Sequence, residues 1–138
     1  MQKNDISPKD LTANVYDIWK NRWFLLTCGD YDSEQFNTMT VAWGSIGCMW
    51  NKPFAQVVVR PSRYTHEFTE QFDSFTLCSF PESQKETLQY LGSVSGRDED
   101  KILRSGLTPL AAKKVSSPVF EEADLAIECK KIYFDTMK

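Results

Sequence analysis

The 138-residue sequence has one histidine, His66, and four scattered cysteines, Cys28, Cys48, Cys78 and Cys129. One histidine excludes a His-based metal cluster. No two cysteines form a CxxC pair or a metal-knuckle spacing. No metal site is expected, and the cysteines read as small core or surface residues. No run of 18 apolar residues is present, so no membrane-spanning helix is expected. The opening segment, MQKNDISPKD, lacks the apolar core of a signal peptide. A cytoplasmic chain with reduced thiols is the expectation. The GxGxxG loop of a Rossmann dinucleotide site is missing, as is the GxSxG of an α/β-hydrolase. Basic excess is missing too. A net charge of −3 argues against nucleic acid as a partner, while leaving room for a local basic site. There are no repeats, low-complexity tracts or linkers.

What is there suits one domain of residues 1–138. A chain of this length buries roughly 68–70% of the surface its unfolded form exposes. Hydrophobic residues at 41%, with 13% aromatic, supply the core to do so. Leu11, Val15, Ile18 and Trp19 share one face of a helix expected from Lys9 to Lys20. Trp23 to Cys28 reads as a buried strand, Asp30 to Asn37 as a loop, and Met39 to Ile46 as an alternating strand. Trp50 to Pro53 reads as a turn, Phe54 to Arg60 as a strand, Arg63 to Phe72 as a helix and Phe75 to Phe80 as a strand. Ser83 with Glu86, and Ser95 with Asp98, have capping-box spacing before two further helices, the second stopped by Gly106. Thr108 to Pro118 reads as a loop, and Ala123 to Phe134 alternates as a strand. The fold class expected is α+β, mainly β, with an antiparallel barrel and flanking helices.

Three segments could carry chemistry. In Val59-Arg60-Pro61-Ser62-Arg63-Tyr64-Thr65-His66-Glu67, Ser62 reads as an N-cap that leaves the amides of Arg63, Tyr64 and Thr65 free. Free amides and the helix dipole attract anions, and two arginines and two hydroxyls add donors. A phosphate monoester suits this site; an ordinary cap beside two solvated arginines is the alternative. In Asn37 to Gly44, the Thr38, Thr40, Ala42 and Gly44 face is stripped of bulk, while Met39, Val41 and Trp43 point the other way. A flat ring can lie against such a face, or the face can pack under a helix. In Ser95-Gly96-Arg97-Asp98, Arg97 is either a surface residue beside a cap or a further charge near a ligand.

In order along the chain, NTMTVAWGSIGCMWNKP, VVVRPSRYTHEF, FTL, SGRDEDK and EEADLAIECK resemble the flavin reductase-like, FMN-binding split-barrel proteins. These include flavoredoxins and the reductase components of two-component monooxygenases. The resemblance runs from about Val15 to the C-terminus and is most specific in RPSRYTHEF and NTMTVAWG. It implies an FMN-binding split barrel. The isoalloxazine would lie along the backbone of Thr38, Met39, Thr40, Val41 and Ala42. The phosphate would be held by Arg60, Ser62, Arg63, Tyr64 and Thr65, with Ser95 and Arg97 close by.

The resemblance also implies a homodimer with flavin near the interface. Its chemistry would be hydride transfer from NAD(P)H to flavin N5, which needs no catalytic acid or base side chain. Reduced flavin would then leave, or electrons would pass to an acceptor protein. A non-enzymatic electron carrier of flavoredoxin type is the alternative, and a split barrel whose flavin site has decayed is a third reading. Family members usually run past the equivalent of Phe134, whereas this sequence stops at Lys138. A short member or a C-terminally truncated domain is implied.

Overall fold

In a computed structural model describing residues 3–136, strand β1 (Phe24–Asp30) is buried from Phe24 to Gly29. It lies inside a four-stranded antiparallel sheet of order β2-β1-β5-β8, with β2 at Gln35–Val41, β5 at Ser74–Ser79 and β8 at Leu125–Lys130. Because side chains alternate, Leu25 enters one core and Phe24 and Leu26 another. Each of these three fully buried side chains contributes about 1.5–3 kcal/mol.

The two cores lie on opposite faces. On one, Leu25, Cys78 and Phe80 pack with Leu88 and Leu91 of helix α3 (Lys85–Ser93). On the other, Phe24, Leu26, Met39, Val41 and Leu77 pack with Ile18 and Trp19, whose indole meets Phe24 edge-on at 4.8 Å. A separate hairpin, β3 (Gly44–Met49) and β4 (Lys52–Val57), closes this second core with Ile46, Ala55 and Val57. A short ribbon, β6 (Pro109–Leu110) and β7 (Val119–Phe120), completes the strands among the described residues. The fold is mainly β and antiparallel, its hydrogen bonding divided between sheet and ribbons rather than closed in one ring.

Several elements depart from expectation. The loop read over Asp30 to Asn37 is shorter, because β2 already pairs from Gln35. Gly29 makes this register possible: at φ +143° its added Cβ would lie 2.1 Å from the Gln35 carbonyl oxygen. The single strand read over Met39 to Ile46 is two strands, broken at Ala42–Trp43. Gly44 then pairs with Val57 so closely that a Cβ would meet the Gln56 carbonyl oxygen at 2.3 Å. Trp50 and Asn51, both at positive φ, form the two-residue hairpin turn, so Lys52 and Pro53 belong to β4.

The helix expected from Lys9 to Lys20 is broken up. A 3₁₀ turn at Pro8–Asp10 is followed by extended residues. The Asn14 side chain then accepts from the Tyr16 and Asp17 amides and starts a new turn, α1 (Val15–Asp17), which continues as π-helix to Arg22. Neither expected capping box forms. A 3₁₀ turn, Glu82–Gln84, precedes α3, and Asp100 caps α4 (Lys101–Ser105) by accepting from the Leu103 amide. Gly106 ends α4 at φ 78°, as read. β8 stops at Lys130, leaving Ile132, Tyr133 and Phe134 exposed. Within the former loop, buried Ser117 accepts from the Gly29 amide at 3.0 Å. No helix among the described residues is long and apolar enough to cross a membrane.

All four cysteines are free thiols. Burial pushes Cys28 and Cys78 up to about 12 and Cys129 to about 11, whereas Cys48 is exposed. The thiolate is the reactive form. At pH 8 a disulfide reagent is expected to titrate Cys48 quickly in the native chain, and the others only after unfolding. A second fast native thiol would contradict this packing.

Candidate functional site

After Val57 the chain leaves β4 and enters a β-turn, Arg60-Pro61-Ser62-Arg63, closed by the Arg63 amide on the Arg60 carbonyl at 3.0 Å. Pro61 presets the backbone angle the turn needs. Ser62 is consumed by this turn and is not the cap; Arg63 occupies that position without a side-chain cap bond. Helix α2 (Tyr64–Gln71) follows. The His66 amide donates to the Arg63 carbonyl, while those of Tyr64 and Thr65 meet no acceptor among the described residues. The helix thus begins with two free donors at the positive end of its dipole.

Its start is fastened to the sheet edge. Asn37, on β2, donates from Nδ2 to Oγ1 of Thr65 at 2.9 Å, and both residues are buried. Gly96 passes so close that a Cβ would lie 2.2 Å from Asn37 Oδ1.

The opposite wall is the C-terminal end of α3. Arg63 donates to the Gly92 carbonyl at 3.1 Å. Lys101, only 4% exposed, donates from Nζ to the Leu91 and Val94 carbonyls, each at 3.0 Å. These are carbonyls the helix end leaves without partners, at the negative end of its dipole. Burial, and secondarily the charge on Arg63, push the Lys101 ammonium down to about 8. The ion pairs among the described residues are Arg22–Asp124, His66–Glu70, Arg97–Glu67, Arg104–Glu99 and Lys113–Asp5; none includes Arg60, Arg63 or Lys101.

Between the walls lies a half-open cleft of about 500 Å³. Of the residues singled out from sequence, Met39, Arg60, Ser62, Arg63, Tyr64, Thr65 and Ser95 line it. Asn37, Asp98, Glu99 and Lys101, which lie inside the quoted motifs but were given no ligand role, join them, together with Ser93 and Val94. Thr38, Thr40, Val41, Ala42 and Arg97 do not line it. Thr38 is fully buried and donates to the Leu26 carbonyl, and Thr40 donates to the Leu88 carbonyl of α3. Thr40 therefore packs under α3, Thr38 is spent within the sheet, and Gly44 lies against Gln56 and Trp19. Val41 belongs to the core. β2 is nonetheless an edge strand, so alternate N–H and C=O groups point away from β1. Arg97 stands outside, paired with Glu67 at 2.5 Å and over the Tyr64 ring at 5.0 Å, bracing the helix start.

This architecture, an antiparallel sheet with a detached hairpin and flanking helices, is that of the split-barrel proteins. The solved flavoredoxin of Desulfovibrio vulgaris (Miyazaki F) superposes with a TM-score of 0.74 at 29% identity, over 96% of this chain and 68% of that one. An FMN-binding domain of a flavin reductase-like enzyme from Shewanella baltica OS155 shares the fold (TM-score 0.74, 22% identity, 87% of this chain and 62% of that one). Residues 20–133 match the flavin reductase like domain, and the chain belongs to that family. An uncharacterized protein of Escherichia coli (strain K12), YddH, is 33% identical over 107 residues, 77% of this chain. Another, of Archaeoglobus fulgidus, is 26% identical over 115 residues, 83% of this chain. The aligned regions span 56% and 63% of those two relatives.

The Asn37–Thr65 bond gives a stability test. Thr65→Val keeps the shape but removes the nearer of the two acceptors of the buried Asn37 amide, and is expected to cost about 1–3 kcal/mol in urea unfolding. Thr65→Ser should recover most of it. An unchanged midpoint for Thr65→Val would show that the bond does not hold the helix start.

Proposed function

We propose that the cleft holds the phosphate of FMN and that the protein reduces this flavin with NAD(P)H. The observation that carries the reading is the convergence of Arg60, Arg63 and Lys101, none paired with a carboxylate, on a cleft that also receives the first amides of α2. A dianion fits that donor set; the riboflavin portion alone would not use it. The likeness to flavoredoxin and to FMN-binding reductase-like proteins supports the same ligand.

When bound, the flavin supplies the chemistry of accepting a hydride at N5 and storing two electrons. The chain's residues bind and orient. Arg63 and Lys101, anchored on α3 carbonyls, fix where an anion sits. The outward N–H and C=O groups of edge strand β2 from Thr38 to Val41, with those of Ala42 just beyond it, are available to a ring laid along the edge through backbone bonds rather than side chains. Arg60, 5.8 Å from the Trp43 ring, links the anion site to the β3–β4 hairpin. The second reading is an FMN electron carrier, favoured by the flavoredoxin likeness, that binds flavin and exchanges electrons with a protein partner while reacting slowly with NAD(P)H.

The test is direct. FMN is expected to quench with higher affinity than riboflavin, and NADH or NADPH oxidation is expected to rise with added FMN. Equal affinities would remove the phosphate site, and slow oxidation with tight binding would select the carrier reading. Arg60→Ala and Arg63→Ala should each weaken FMN binding by about 1.5–3 kcal/mol, the scale of a bond to a charged group. Lysine at either position should restore only part, lacking the planar fork.

A homodimer is part of the proposal. Trp43, Met49 and Trp50 on and beside the β3–β4 hairpin are 65%, 63% and 91% exposed, an apolar set suited to an interface. Light scattering at micromolar protein is expected to give twice the chain mass; the chain mass alone would overturn this part.

A further inference from the structure

An ammonium group has three donors, and for Lys101 the described residues take two, the Leu91 and Val94 carbonyls. The side chain lines the cleft while being 4% exposed, so water has little access to what is left. A buried charge without an opposite charge is costly. The groups facing Lys101 offer little compensation. From the turn before α2 come Arg60 and Arg63, both cationic, and from α2 the phenol of Tyr64. β2 contributes Asn37 and Met39, and α3 contributes Leu91 to Ser93, all uncharged. Glu34, just before β2, lines a second cleft with Lys101, but it is exposed and forms no ion pair with it. In Lys101's own segment, Glu99 is held by Arg104 at 2.9 Å and Asp100 caps α4. Asp98 is at the cleft's exposed rim.

We infer that Lys101 takes up a proton from solvent when a dianionic phosphate enters the cleft, its third donor closing on the ligand, so that phosphate binding is proton-coupled. This deepens the FMN reading and rests on it. The chemistry balances as a neutral amine, a solvent proton and a dianion giving an ammonium–dianion pair; no bond to carbon is made or broken.

The pH window follows from the sign of the perturbation. In the empty cleft, burial and then Arg63 hold Lys101 down to about 8. A nearby dianion favours the charged form and raises that value. Below about pH 8 the lysine is already protonated and binding takes up little. Above it, each binding event brings a proton, and affinity falls as pH rises until the raised value is reached. The phosphate itself is dianionic above about pH 7, its second ionisation lying near 6. Guanidinium groups do not titrate in proteins.

The experiment is isothermal titration of the flavin-free chain with FMN at pH 8.5 in two buffers of different ionisation enthalpy, repeated with riboflavin. Uptake of roughly half to one proton is expected with FMN and none with riboflavin, with FMN affinity falling about tenfold from pH 8 to 9.5. Lys101→Arg, which keeps the charge permanently, should bind FMN without proton uptake and flatten the pH profile. Lys101→Met should abolish the uptake and weaken FMN but not riboflavin. Equal FMN and riboflavin affinities in the unaltered protein would overturn the phosphate assignment and this inference with it. FMN preferred over riboflavin, with no proton uptake in the unaltered protein, would overturn this inference alone. That outcome needs no variant and so does not depend on a substitution folding.

Discussion

A strand buried on both faces needs cover on each, and β1 imposes that demand on the rest of the chain. The α3 side answers for Leu25, and the N-terminal turn with the β3–β4 hairpin answers for Phe24 and Leu26. The flanking strand β2 is mostly buried by the same layers, but it pairs on one side only and so forms an edge of the sheet. The cleft lies at that edge, where α2 and the end of α3 approach each other across Asn37.

Electrostatics at this edge runs against the chain as a whole. The net charge is −3, yet the cleft gathers three cations that form no ion pairs, against Glu99, held by Arg104, and Asp98 at the exposed rim. Two of them are held by the partial negative charge of one helix end, which orients a donor without neutralising it. A carboxylate in the same place would form a stronger bond and cancel the field. The use of carbonyls keeps the cluster attractive to an outside anion.

Much of this was legible where the cause is local. Pro61 between two arginines, after a run of valines, marks a turn from strand into helix, and that turn is found. The exact cap was not legible, because Ser62 has the chemistry of a cap but sits inside the turn that precedes it. The Thr38 and Thr40 face was read correctly as small. Whether a small face meets a ligand or a helix depends on which layer lies over it, and alternation carries no such information. Lys101, the last residue of SGRDEDK, was given no role because lysine is ordinarily solvated; only the fold brings α3 carbonyls to it. The helix read from Lys9 failed for a related reason. Its spacing was helical, but Val15 stays exposed and Leu11 is only partly buried, and Asn14 captured the amides instead.

The contact between Gly92 and Thr40 has a dimensional consequence. A Cβ at Gly92 would lie 3.1 Å from that of Thr40, so the last turn of α3 rests almost backbone-to-strand on β2. The threonine Cβ, the atom nearest the glycine, acts as a spacer of fixed thickness, and the glycine as the seat cut for it. The carbonyls that carry Arg63 and Lys101 belong to this same turn, and their height above the sheet is set by that spacer. The width of the cleft is thus gauged from beneath, by two residues that never face its interior.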